Sequence, residues 1–263
     1  MSAAASSLLF LGTGTSVGVP VIGCDCNVCR SIDTRDNRTR SSVIVSDGTT
    51  TLLVDSGPDL REQALREKIS SIDAVLYTHS HLDHVVGFDE LRAFCWGKKE
   101  PLPLHGTAAC IDVLKGMFGW AFSSDNTHRG YVKPAPKLVT SAFRIGGLEI
   151  TPLPVEHGTV ETVGYLFETE RGFRAAYLPD VKRIPEATMA LLGNLQILII
   201  DALREAPHST HLSLNEALKI SRTLSPCRTL LTHISHEFGH AELSARLPDR
   251  VEVAWDGLRL PLD

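Results

Sequence analysis

The chain has no apolar run of the roughly 18 residues that a membrane-spanning helix needs, and no basic residue precedes the short Ala/Ser-rich stretch that leads to Leu8. These absences argue against a membrane protein and a secretory leader, and set the expectation of a cytoplasmic protein. No long basic run occurs either. Lys plus Arg total 26 against 31 Asp plus Glu, a net charge of −5, so a nucleic-acid footprint is not expected and a small substrate is favoured. No internal repeat of solenoid or propeller period is visible. In a reducing compartment the 6 cysteines are not expected to pair as disulfides.

What is present suits a folded enzyme-sized chain. The 263 residues, 43% hydrophobic and 22% charged, are enough for one large domain and too apolar for disorder. Alternating and continuous apolar runs bounded by Gly, Asp or Ser predict strands over 8–11, 42–45, 51–55, 72–77, 102–105, 143–145, 148–155, 163–169, 173–178, 197–201, 228–232 and 251–255. Helical periodicity predicts helices over 58–68, 84–94, 107–117, 185–192 and 213–224. The polar, Pro-bearing stretch 123–136 reads as a loop and is the one candidate linker. Two halves, each strands then helices, fit an αββα sandwich: α+β, two packed mixed β-sheets with helices on the outer faces and functional groups on loops at one edge. A single domain over 1–263 is expected.

The strongest chemical signal is Thr78-His79-Ser80-His81-Leu82-Asp83-His84, directly after an apolar strand. In an extended segment alternate residues share a side, so His79, His81 and Asp83 converge while His84, opening a helix, turns to a second point. One short segment can therefore serve two metals, and its imidazole and carboxylate donors suit Zn, Mn or Fe. Half of the cysteines crowd into Cys24-Asp-Cys26-Asn-Val-Cys29, a spacing better suited to a metal than to bridges. Gly12-Thr13-Gly14-Thr15 superficially suggests a dinucleotide fingerprint, but no third glycine opens a helix. A tight loop that offers backbone N–H groups to phosphate is the better expectation.

The His-x-His-x-Asp-His segment resembles the metallo-β-lactamase superfamily, as do the later Glu156-His157-Gly158, Leu178-Pro179-Asp180 and Leu231-Thr232-His233. The resemblance implies one metal held by His79, His81 and His157, another by Asp83, His84 and His233, and Asp180 shared between them. Asp55, in Val54-Asp55-Ser56-Gly57, matches an early Asp that orients ligands from behind. The 11–29 stretch, from Leu11-Gly12-Thr13-Gly14 to the cysteines, is similar to the PhnP branch, the phosphoribosyl cyclic phosphate phosphodiesterases. That likeness implies a structural zinc on Cys24, Cys26, Cys29 and His236, clipping a loop at 20–41. It also makes His211, before Leu212-Ser213-Leu214-Asn215, a non-ligand histidine that protonates the leaving group.

The implied activity is a dinuclear metal-dependent hydrolase, a phosphoric diester hydrolase acting on a small anionic cyclic phosphodiester. The substrate expected is 5-phosphoribosyl 1,2-cyclic phosphate, converted to ribose 1,5-bisphosphate. The cofactors implied are two catalytic Mn2+ or Zn2+ ions and one structural Zn2+, with Asp83 also orienting the attacking water. The alternatives are a nuclease of the tRNA 3′-processing type, which would need a basic arm, and a thioester or lactam hydrolase. No nucleic-acid or membrane partner is expected, and a homodimer is left open. Cys95, Cys110 and Cys227 read as core or loop thiols, and His105, His128, His208 and His240 have no assigned role. Arg35, Arg38 and Arg40 read as a solvated turn, with attraction of an anionic substrate as the other reading.

Overall fold

The computed structural model describes residues 5–263; residues 1–4, part of the segment read as lacking a leader, lie outside it. Among the described residues fourteen strands form two sheets. The first half of the chain supplies β1 (Ser7–Gly12), β2 (Ser42–Ser46), β3 (Thr51–Val54), β4 (Ala74–Leu76), β5 (Leu102–Gly106) and β6 (Pro134–Leu138). The second supplies β7 (Phe143–Ile145), β8 (Leu148–His157), β9 (Val160–Thr169), β10 (Arg174–Leu178), β11 (Ile197–Asp201), β12 (Arg228–Thr232) and β13 (Val251–Val253). The last strand, β14 (Arg259–Pro261), crosses back to pair antiparallel with β1, so the orders are β14-β1-β2-β3-β4-β5-β6 and β13-β12-β11-β10-β9-β8-β7.

Each sheet is half antiparallel and half parallel. β1 to β3 pair antiparallel and β3 to β6 parallel; β7 to β10 pair antiparallel and β10 to β13 parallel. Strands with both faces covered have to be apolar throughout. Leu8 and Phe10 face Tyr165 and Tyr177 between the sheets, while Leu9 and Leu11 face outward onto helices. The outer layer on the first sheet contains α1 (Leu60–Arg66), α2 (Leu82–Val85), α3 (Arg92–Cys95), α4 (Ala108–Met117) and α5 (Gly119–Phe122); the second carries α6 (Glu186–Leu191), α7 (Leu214–Leu224) and α8 (His240–Arg246). The architecture is the αββα sandwich. α7 begins on a full capping box, with Ser213 Oγ accepting from the Glu216 N–H and the Glu216 carboxylate accepting from the Ser213 N–H.

Several expectations change. The helix expected over 84–94 is broken into α2, a 3-10 segment Val86–Leu91 and α3. Gly87 donates its N–H to the Ser56 carbonyl at 2.9 Å, and a Cβ there would lie 2.0 Å from the Gly57 carbonyl oxygen. This contact overrides helical propensity. The stretch 123–136 is no linker between halves: it lies inside the first sheet's layer and runs into β6, whose prolines are tolerated because β6 is an edge strand. The glycine loop serves packing. A Cβ on Gly12 would lie 2.0 Å from the Arg40 carbonyl oxygen, and the Gly14 and Gly18 N–H groups donate to the Thr39 and Thr15 carbonyls, so neither is free for phosphate.

The arginine group is not a solvated turn as a whole. Arg38 is fully buried and donates to Asp36 Oδ1 and to the carbonyls of Ser235 and Phe238. Arg40 pairs with Asp59, and Arg35 pairs with Asp33. His105 stacks on Phe143 with burial pulling its pKa down to about 4, His128 lies against Tyr131, and His240 lies edge-on to Trp255. Cys110 is buried, Cys95 half-buried and Cys227 exposed.

Candidate metal centre

Several strands of both sheets end at one edge, and the chain leaves them carrying a polar side chain. Asp55 follows β3, Thr78 and His79 follow β4, His157 ends β8, Asp180 follows β10, Asp201 ends β11 and His233 follows β12. Asp55 and His233 have positive φ, 63° and 57°, in the left-handed region that non-glycine residues rarely occupy. Such backbone is held by its surroundings and clusters at functional sites.

Three of the inner histidines, His79, His84 and His157, are oriented by a bond on the far nitrogen. The His84 Nδ1–H donates to Asp55 Oδ2 at 2.7 Å and the His157 Nδ1–H to the Thr210 carbonyl at 2.8 Å. Thr78 Oγ1 gives its proton to Asp55 Oδ2 (2.8 Å). The hydroxyl oxygen, 3.0 Å from His79 Nδ1, therefore accepts from that ring. His79, His84 and His157 thus turn Nε2 lone pairs into one cavity, each ring fixed by the partner behind it as metal-binding imidazoles usually are.

His79 Nε2 and His157 Nε2 lie 2.9 and 3.2 Å from His81 Nδ1. His84 Nε2 lies 3.3 Å from Asp83 Oδ2 and 3.2 Å from Asp180 Oδ2, and His233 Nε2 lies 3.3 Å from Asp180 Oδ1 and 3.9 Å from Asp83 Oδ2. His157 Nε2 is 3.8 Å from Asp180 Oδ1. All seven expected donors are together, with Asp180 between the two triads.

The donor set fits divalent cations on its own terms. His84 Nε2, Asp180 Oδ2 and both nitrogens of His233 are buried without a hydrogen-bond partner, a costly arrangement unless a cation meets them. The electrostatics agree. Burial opposes charge on His84 and His233, yet the surrounding carboxylates outweigh it; Asp180, Asp83 and Asp55 raise His84 well above the ordinary value, and Asp180, Asp83 and Asp201 raise His233 to about 9. Burial likewise opposes charge on Asp180, but His233 and His84 hold its carboxyl well below the usual range. The cluster requires positive charge, as protons or as metal.

The cysteine cluster closes on a residue far along the chain. Cys24, Cys26 and Cys29 Sγ lie 3.2, 3.5 and 3.5 Å from His236 Nδ1, close to the edges of about 3.5 Å that a tetrahedral Cys3His zinc requires. The Cys29 N–H bond holds the Cys26 thiol down to about 6, whereas burial and the neighbouring thiols push Cys29 up to about 11. Three cysteine sulfurs and an imidazole nitrogen at that spacing could hold one cation.

His211 stands beside the seven donors, its ring centroid 4.6 Å from both His157 and His233. Its Nδ1–H is committed to Asp201 Oδ2 at 2.8 Å, leaving Nε2 free. Asp201 is buried and also accepts from the Val181 and Leu212 N–H groups.

A sequence profile of the beta-lactamase superfamily domain matches residues 50–234. The chain belongs to the metallo-β-lactamase superfamily. Within it, the crystal structure of a diphosphatase of the PhnP family superposes with a TM-score of 0.90 at 40% identity, covering 98% of each chain. This is a PhnP-like branch member and a metal-dependent hydrolase that uses divalent metals. Zn(2+)-bound PqqB from Methylobacterium extorquens shares the fold, with a TM-score of 0.79 at 24% identity over 97% of this chain and 100% of that one. An octanoyltransferase of Porphyromonas gingivalis is 34% identical over 97% of this chain, which spans only 51% of that protein.

Two residues beside the site, Asp201 and Thr78, have no role in the sequence reading. Asp201 and Thr78 each touch a site histidine, and each stands at the end of a strand on this edge, as Asp55 does. An acidic or hydroxyl residue closing an apolar strand was the signal. No helix among the described residues is long and apolar enough to cross a membrane.

Proposed function

We propose that the chain hydrolyses a small anionic phosphodiester with two divalent cations, Mn2+ or Zn2+: one held by His79, His81 and His157, the other by Asp83, His84 and His233, with Asp180 shared. A structural Zn2+ sits on Cys24, Cys26, Cys29 and His236. The favoured substrate is 5-phosphoribosyl 1,2-cyclic phosphate; water adds to phosphorus, the bond to the ribose O2 breaks, and ribose 1,5-bisphosphate results. The observation that carries this reading is the His211–Asp201 pair beside the donor cluster. A free imidazole Nε2 next to, but outside, a metal ligand set is what expulsion of a poorly leaving alkoxide needs.

When bound, such a metal pair neutralises phosphate oxygens and acidifies a water for in-line attack. The chain's own residues do the rest. Asp201 holds the His211 Nδ1–H, so a proton on Nε2 is aimed at the departing O2. Asp83, besides serving as a donor, would accept a hydrogen bond from the attacking water and orient it. Asp55 and Thr78 keep the rings of His84 and His79 from rotating.

The test is turnover followed by phosphorus NMR with 5-phosphoribosyl 1,2-cyclic phosphate, a thioester serving as control. Ribose 1,5-bisphosphate is the expected product; turnover of the thioester alone would overturn the reading. The likeness to a PhnP-family diphosphatase supports a second reading, cleavage of a phosphoanhydride, and a small diphosphate substrate in the same assay separates the two.

A further inference from the structure

The metal donors stand where strands of the first sheet end, and the opposite end of that sheet carries a second concave site. A cavity of about 440 Å3 has Lys98, Lys99, Glu100, Arg129, Tyr131 and Lys133 in its lining, a volume within the range of small-molecule sites. These residues precede β5 and β6, which run parallel to β4 toward the metal edge. The five residues of β5, roughly 15 Å of strand, therefore lie between this cavity and the metal centre.

Its charge sets it apart. Four cations line it against one carboxylate, Glu100, in a chain whose net charge is −5. The ion pairs of the flanking helical segments, Arg92–Asp89 and Lys115–Asp112, lie outside the lining. Lys98 donates to the Ile72 carbonyl, whereas Lys99, Arg129 and Lys133 have no salt-bridge partner among the described residues. Like charges gathered in one concavity focus a field that draws in an anion.

An aromatic surface is fixed beside them. The Tyr131 ring centroid lies 4.5 Å from that of His128 and 4.8 Å from that of Trp120, while the side chain stays 40% exposed. The loop that bears it is tied down. Asn126 Nδ2 donates to the Ala121 and Val132 carbonyls, the Tyr131 N–H to the His128 carbonyl, and the Leu102 N–H to the Lys133 carbonyl. A held aromatic ring next to unpaired cations suits a ligand that brings both a phosphate and a flat base.

We propose that this cavity is a second, non-catalytic ligand site that takes a nucleoside diphosphate, its phosphates on Lys99, Arg129 and Lys133 and its base against Tyr131. Four cations less one carboxylate leave three positive charges, which matches a diphosphate ester of about −3. The basic lining is short, and a nucleic-acid strand needs an extended basic track. The proposal is independent of the phosphodiesterase reading, because none of its residues belongs to the metal centre.

The test is calorimetry on the metal-loaded chain with ADP, inorganic pyrophosphate and adenosine. ADP is expected to bind more tightly than either of its parts. Arg129→Ala with Lys133→Ala should weaken ADP about tenfold or more, as for hydrogen bonds to a charged group. Tyr131→Leu should weaken ADP about fivefold or more and leave pyrophosphate binding unchanged. The substituted side chains are exposed, so these variants should keep the melting temperature and metal content of the wild type; Arg129→Gln, which keeps most of the stem, reads the same loss with less disturbance of the loop. ADP binding that neither change weakens belongs to the metal centre and overturns the proposal, as does an absence of ADP binding. Pyrophosphate bound as tightly as ADP overturns the nucleotide, and an RNA oligomer bound more tightly than ADP through the same residues overturns the small ligand in favour of a nucleic-acid surface.

Discussion

Arg38 joins the cysteine loop to the turn that bears His236. Its side chain is 0% exposed and donates to Asp36 Oδ1 at 2.9 Å, Ser235 O at 3.0 Å and Phe238 O at 2.8 Å. Asp36 in turn accepts from the His240 N–H at 2.7 Å. Arg38→Met fills the volume but strands a buried carboxylate and two carbonyls, and breaking such a pair costs about 3–5 kcal/mol. At about 2–4 °C per kcal/mol for a chain of this size, the melting temperature should fall by about 6–20 °C. The loss concentrates on the Ser235–Phe238 turn, so zinc release from the cysteine site to a colorimetric chelator should also speed up. Arg38→Lys should fall between, because one ammonium cannot reach three acceptors in a fixed fork. Salt should change none of this, since the pair is shielded from solvent. An Arg38→Met protein that melts within about 2 °C of wild type and keeps its zinc would refute the reasoning.

Cys26→Ser should remove one zinc equivalent by elemental analysis and lower stability while the other metals stay mostly bound; loss of every metal together would mean that the cluster is not a separate site. Asp180→Ala should weaken both catalytic metals at once, and calorimetric loss of only one would disprove the shared carboxylate. Asp201→Asn should keep the full metal content yet lower kcat about 10²-fold or more on an alkoxide-leaving substrate, with a much smaller loss on bis(p-nitrophenyl) phosphate, whose leaving group needs no proton; equal losses would point away from proton transfer. In the metal-stripped protein His233 is raised to about 9 from about 6.5 when unfolded, so its stabilising proton is fully in place below about 6.5 and is lost as pH rises through about 9. Urea unfolding should accordingly show lower stability at alkaline pH for the stripped protein, and a flat or rising profile would contradict this.

The elements visible in the sequence are those whose cause is local. The strand pattern of Leu8 to Leu11 or Ile197 to Asp201 lies in contiguous apolar residues, and the capped helix after Ser213 carries its start signal on it. The helix expected over 84–94 failed because Ser56 and Gly57, thirty residues earlier, draw Gly87 onto their backbone. The edge strand β6 and the returning β14 were hidden, one by its prolines and the other by its three-residue length.

By itself the sequence determined the donor types: four ligand-capable side chains in six positions after an apolar strand, three clustered thiols, and the apolar runs of doubly covered strands. Their chemistry follows from residue identity and short spacing alone. Only the tertiary structure decided which distant groups meet them. His236 comes to the thiols, Asp201 to His211, Arg38 to the Ser235–Phe238 turn, and Thr210 to both His157 and His208. Those contacts join residues on different strands and loops, so they depend on sheet order and register. A hydrogen bond needs donor and acceptor within about 3 Å, and no pattern within one segment of chain specifies a distance to another.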